Sequence, residues 1–142
     1  MEDYATAAQS RLTDWEVLCD KKRRTGSIHM GGIYVECMLK GIICCYYTVE
    51  SRGTEWLVNG NRKNRPGHLL TAPYYRSLLP DLYDNMPDEV ADALEYVSKP
   101  ENVSYIDYRY VPEKNVSDRI FSKWMEKFIC IFDYLEQIKH EV

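Results

Sequence analysis

The stretch Ser117-Asp118-Arg119-Ile120-Phe121-Ser122-Lys123-Trp124-Met125-Glu126-Lys127-Phe128-Ile129-Cys130-Ile131-Phe132-Asp133-Tyr134-Leu135-Glu136-Gln137-Ile138 decides the fold class. Ile120, Trp124, Phe128, Ile131, Leu135 and Ile138 recur at steps of four, four, three, four and three. That spacing puts them on one stripe of an α-helix, because 3.6 residues complete a turn. Lys123, Glu126, Lys127 and Glu136 fall outside the stripe. Val116-Ser117-Asp118 offers side-chain oxygens that can cap the first turn. A long helix with a single apolar stripe must bury it against other elements, and helices are the natural partners.

Working outward, the same periodicity recurs. Tyr4, Ala8, Leu12, Trp15 and Leu18 predict a first helix from Tyr4 to Arg24, closed by the cations Lys21 to Arg24, where the helix dipole is negative. Thr25-Gly26-Ser27 reads as a stop and a fresh cap. A second helix is expected from Ser27 to Tyr47, with Ile28, Val35, Leu39, Ile42 and Tyr46 inward. Gly31-Gly32 inside it costs about 1 kcal/mol per glycine relative to alanine, so the pair predicts close approach of a neighbouring helix. Glu50 to Pro66 reads as a polar loop. Pro73 and Pro80 break the next helical region, from Gly67 to Leu79, into short turns. Pro87-Asp88-Glu89 opens a helix carrying Val90, Leu94 and Val97. Asn102 to Pro112 is expected to be extended or irregular. No stretch reads as paired strands of period two. The expectation is a single all-α domain over residues 1–142, an antiparallel four- or five-helix up-and-down bundle.

Composition narrows the function classes. The chain has 142 residues, 45% hydrophobic and 28% charged, with a net charge of −4. It is globular, and it lacks the overall basic footprint of a nucleic-acid binder. Two basic runs stand out, Lys21-Lys22-Arg23-Arg24 and Arg62-Lys63-Asn64-Arg65. Each reads as a solvated helix end or loop, although two such runs meeting in space would make an anion-binding surface. The N-terminal Met1-Glu2-Asp3-Tyr4 is acidic, without the apolar core of a signal peptide. The longest apolar run, Gly41 to Tyr47, is far short of a membrane span. A cytoplasmic protein without a membrane segment is expected. Cys19, Cys37, Cys44, Cys45 and Cys130 are odd in number and lack C-x-x-C spacing, which predicts buried, reduced thiols and no metal site. No motif for a cofactor is present.

The second helix also carries a resemblance. His29-Met30-Gly31-Gly32-Ile33-Tyr34-Val35-Glu36-Cys37-Met38-Leu39-Lys40-Gly41-Ile42-Ile43 resembles the signature of stand-alone prokaryotic HEPN domains, small residues followed by G-Y-A-V-E-C-x-L-K-A-L-I. Gly67-His68-x-Leu70 resembles that family's G-H-D-L, and Tyr108-Arg109-Tyr110 the R-Y before its last helix. The resemblance implies a helical bundle that usually dimerises. Many such proteins are metal-independent endoribonucleases and many others are non-catalytic binding or scaffold domains. The ribonucleases share R-x(4–6)-H near the last helix, where Arg steadies the phosphate and His does acid–base work. Arg109 is followed by Tyr110-Val111-Pro112-Glu113-Lys114-Asn115-Val116, with no histidine. Arg62 and His68 match the spacing, but in another segment.

Glu36 and Lys40 form an i, i+4 pair, either a surface ion pair of a few tenths of a kcal/mol or a partly buried anion that needs a partner. In the resembling family this pair lies near the R-Y segment, which suggests Arg109 as a partner of Glu36. His29 lies two turns before Glu36 on the same face. His68 opens a helix, where imidazole often caps or packs, and His140 is expected to be solvated at the chain end. The catalytic candidates are therefore Arg109, Glu36, His68 and His29, and the binding candidates Lys40, Arg109 and Tyr110. Tyr74, Tyr75, Tyr105, Tyr108 and Tyr110 read as interface aromatics, with base stacking the alternative. The leading expectation is a non-catalytic HEPN-like protein that forms a homodimer or binds a partner protein, in antiviral defence or a toxin–antitoxin-like system. The alternatives are an RNA-binding protein or endoribonuclease, and a nucleotide-binding subunit beside a nucleotidyltransferase.

Overall fold

A computed structural model describes residues 3–141, with side chains described from Asp3 to Lys139; His140 lies outside the described side chains. The expected long helices are present. α1 spans Tyr4–Asp20, α2 Arg24–Tyr46, α5 Asp88–Ser98 and α6 Asp118–Glu141, with the short α3 Pro73–Leu78 and α4 Pro80–Asp84 between α2 and α5. Proline occupies the first turn of both short helices, where its missing N–H is no loss. Ser117 caps α6, its Oγ accepting from the Ile120 N–H at 3.1 Å.

α1 and α2 run antiparallel: Gly26 near the start of α2 faces Leu18, and Gly41 near its end faces Tyr4 and Ala5. α6 closes the core on one side of α2 and packs along α5 on the other. Trp124, Phe128, Ile131 and Leu135 are all buried, as their spacing requires. The Trp124 and Phe128 rings stack at 4.9 Å, and Trp15 of α1 meets Phe128 at 4.8 Å. Gly31 makes room for this aromatic stack, because a Cβ there would lie 2.6 Å from the Trp124 ring. The close approach expected at Gly31-Gly32 therefore exists, but aromatic rings fill it and not a second backbone.

Three expectations are corrected. First, the fold is not purely helical. Residues expected as a polar loop form an antiparallel meander, β1 Val49–Arg52, β2 Glu55–Val58 and β3 Asn61–Asn64, in the order β1-β2-β3. Asn59 and Gly60 turn β2 into β3 with φ of 50° and 83°, the left-handed pair that a two-residue hairpin turn needs. Trp56 and Val58 point inward and are buried, and Trp56 lies 6.0 Å from the Tyr4 ring. Second, the turn between α1 and α2 falls at Lys21 to Arg23, with Lys22 at φ 56°, so Thr25 and Gly26 lie inside α2. The Glu113 carboxylate accepts from the backbone N–H groups of Arg24 and Thr25, so a residue remote in sequence caps α2. Third, Cys44 and Cys45 are exposed, while Cys37 is buried and Cys19 and Cys130 are half-buried. α1 begins opposite Gly41, so the last turn of α2 runs past its cover.

Asn102 to Pro112, expected to be extended or irregular, consists largely of tight 3-10 turns, chiefly Tyr105–Tyr110. With three residues per turn, Tyr105 and Tyr108 share one face, and both are buried. α2 is long and apolar enough by composition to cross a membrane, but two thirds (67%) of its most apolar window is buried inside the fold.

Candidate functional site

One face of α2 organises the site. His29, Gly32, Glu36 and Lys40 stand at steps of three, four and four, and so lie in one row along the helix. Tyr105 packs across that row. Its backbone carbonyl lies 3.2 Å from Nδ1 of His29, its ring fills the space that a side chain at Gly32 would need, and its hydroxyl donates to Oε1 of Glu36. Two further donors reach the same carboxylate. Lys40 Nζ donates to Oε2 at 2.9 Å, and His68 Nδ1 lies 2.6 Å from Oε1.

Glu36 is buried, and burial by itself pushes its carboxyl pKa up. The Lys40 charge and hydrogen bond, with those of Tyr105 and His68, outweigh that and hold it below its ordinary value of 4.5. Burial also raises the Tyr105 phenol, as does the Glu36 charge beside it, so the hydroxyl keeps its proton and stays a donor. Lys40 is itself buried, with its ammonium 5.6 Å from the centre of the Tyr4 ring.

His68 comes from the linker between β3 and α3, which has no regular structure of its own. Side chains from three elements pin that linker: the Tyr75 hydroxyl donates to the Gly67 carbonyl at 2.7 Å, Ser98 Oγ accepts from the Leu70 N–H at 3.0 Å, and the Tyr83 hydroxyl donates to the Leu70 carbonyl at 2.7 Å. The His68 side chain stays 53% exposed. It lines a cleft of about 410 Å³ together with Glu36, Lys40, Gly53, Thr54, Arg65 and Gly67.

The structure thus gathers four of the residues singled out from sequence, His29, Glu36, Lys40 and His68, around one that sequence placed elsewhere, Tyr105. Arg109 does not join them. It is exposed, makes no ion pair with Glu36, and stacks its guanidinium 4.8 Å from the ring of Tyr110, which is 74% exposed. The geometry of the 3-10 turn is the cause: with Tyr105 and Tyr108 inward, Arg109 and Tyr110 must face out. Three of the five expected interface tyrosines, Tyr75, Tyr105 and Tyr108, are core residues, leaving Tyr74 and Tyr110 exposed. The two basic runs do not meet. Arg24 and Lys40 lie 16 positions apart on α2, about 24 Å at 1.5 Å per residue, and the Arg65 cleft is at the Lys40 end. Arg24 is instead tied to Asp118 and the Val116 carbonyl. Among the described residues, no three His, Cys, Asp or Glu side chains group as a metal site.

No family model, curated protein or solved structure matches the chain.

Proposed function

We propose that this chain is a HEPN-like helical domain of the cytoplasm that acts by association, with a second copy or a partner protein, and does not cut RNA. The setting that suits such a domain is prokaryotic antiviral defence or a toxin–antitoxin-like system. Arg109 carries the reading. It sits where the R-Y segment of the resembling family falls, yet its exposed guanidinium lies over the Tyr110 ring and makes no hydrogen bond with His29 or His68, whose Nδ1 atoms are held by the Tyr105 carbonyl and Glu36. An arginine that steadies a phosphate has to stand beside the histidine that moves the proton. Glu36, the other charged member of the motif, spends both oxygens on Lys40, Tyr105 and His68. Such a group fastens the fold and offers little to a reacting hydroxyl.

Surface composition supports association. Tyr46, Leu69, Tyr74 and Tyr110 are exposed aromatics or large aliphatics. An apolar groove of about 550 Å³ lies between the end of α2, α4 and α6, lined by Tyr46, Tyr47, Leu79, Pro80 and Ile138 among others. Exposed apolar area of this kind commonly marks a protein contact. Light scattering of the purified chain at micromolar concentration should give a mass well above 16.7 kDa, or a partner should co-purify. A clean monomer with no partner would count against association. Labelled RNA incubated with the chain should stay intact; cleavage lost in His68→Gln would promote the ribonuclease reading in its place.

A further inference from the structure

We infer that the cleft beside His68 is a binding site for a phosphoryl oxyanion, a role that goes beyond association and does not depend on it. The His68 ring is held by Nδ1 against the Glu36 carboxylate. In a five-membered ring this places Nε2 on the far side, and the half-exposed side chain presents that edge to the cleft. Fixing one ring nitrogen with a carboxylate sets the orientation and the proton position of the other. Nε2 then donates to a phosphoryl oxygen when the ring carries two protons, or accepts from a protonated phosphoryl oxygen when it carries one.

Arg65 completes the site. Its backbone N–H is anchored to the Thr54 carbonyl at 3.2 Å, the residue lines the cleft, and its exposed side chain makes no ion pair among the described residues. Lys40 neutralises Glu36 in the floor at 2.9 Å, so Arg65 leaves the cleft with an unbalanced positive charge. The carboxylate oxygens are already occupied by three donors, which turns their lone pairs away from an incoming anion. A guanidinium fork beside a fixed imidazole suits the several oxygens of a tetrahedral anion better than a lone lysine would. The volume, about 410 Å³, exceeds that of a single ion and leaves room for the organic group of a phosphate monoester.

The test is a backbone NMR titration at constant ionic strength, with inorganic phosphate and phenyl phosphate as separate probes and acetate as the control. Saturable shifts at Thr54, Arg65, Gly67 and His68 are expected. His68→Gln and Arg65→Gln should each weaken binding about tenfold, the loss of one charge-assisted hydrogen bond. Arg52→Gln, at the end of β1 but outside the cleft lining and paired with Glu50, should leave affinity unchanged. Tighter binding of phenyl phosphate assigns a monoester, and equal binding assigns free phosphate. Shifts that never saturate, equal binding of acetate, or an equal loss in Arg52→Gln would overturn the site. If His68→Gln disturbs the fold, the exposed Arg65→Gln carries the test alone. Failure here leaves the light-scattering result, and the association reading, untouched.

Discussion

Replacing Lys40 with methionine isolates the electrostatics of the α2 row. Methionine keeps most of the side-chain volume against Tyr4, so the change removes a charge more than it opens a cavity. The pair it breaks is closed from water, with the two side chains 4% and 12% exposed and 2.9 Å apart. At that separation the gross attraction is about 6 kcal/mol for an effective dielectric of 20. The net loss is smaller, since Glu36 keeps Tyr105 and His68 and can take up a proton. Breaking a buried pair from one side costs about 3–5 kcal/mol, and the two remaining donors argue for the lower end. Urea unfolding followed by tryptophan fluorescence should therefore show about 3 kcal/mol of destabilisation at pH 7, or roughly 9 °C in Tm. Glu36→Gln/Lys40→Met, which strands no charge, should recover at least about half of it. A single variant within 1 kcal/mol of the parent would refute the claim that Lys40 holds a buried anion, as would a double variant no more stable than the single one.

Two further outcomes follow from the same row. Gly32→Ala should destabilise by roughly 1–3 kcal/mol by overpacking, despite the ~1 kcal/mol that alanine gains as a helix former, because the Tyr105 ring that a Cβ would strike is tied at both ends; a stabilised variant would show that the ring can move aside. The lowered Glu36 carboxyl contributes stability that is complete above its ordinary value of 4.5 and lost as pH falls through its native value, so the acid-side fall in urea midpoint should be shallower in Glu36→Gln than in the parent. Identical profiles would mean that Glu36 contributes nothing to the acid limb.

The helices were legible because each must bury a stripe, and a stripe is written at steps of three and four; Trp124, Phe128, Ile131 and Leu135 announce α6 before any contact is known. The meander was not, because only its middle strand carries fully buried side chains. β1, Val49-Glu50-Ser51-Arg52, and β3, Asn61-Arg62-Lys63-Asn64, are largely polar on both faces and show no period of two. The one local signal was Asn59-Gly60 after Glu55-Trp56-Leu57-Val58, a hairpin turn next to a half-buried strand. Within the site, Glu36, Lys40 and His29 were legible as a row because they lie on a single helix. Tyr105 was not, since its role comes from filling the space above Gly32 across 73 positions of sequence. The suggested pairing of Arg109 with Glu36 failed for a related reason: one residue of phase in a 3-10 turn decides whether a side chain faces in or out, and nothing in the local composition sets that phase.

The Glu36 carboxylate joins two duties that would otherwise be independent. The Tyr105–Tyr110 segment is a short 3-10 turn, and apart from the Tyr108 hydroxyl on the Pro100 carbonyl it is fastened to α2 at His29, Gly32 and Glu36. The linker around His68 has no regular structure, and it aims its imidazole only because the same oxygen, Oε1, accepts from it. A change at Glu36 must therefore loosen the Tyr105 segment and release the His68 ring together. Stability and oxyanion affinity should fall in step along a series Glu36→Gln, Glu36→Ala. Arg65 touches the cleft from the exposed side and fastens nothing through its side chain, so Arg65→Gln should lower affinity at constant stability. The two patterns separate a residue that positions the site from one that meets the ligand. If the Glu36 series lost stability but kept full affinity, His68 would have to be oriented by the Gly67–Tyr75 and Leu70–Ser98 bonds of its own linker, and the carboxylate would be a fastening of the fold alone.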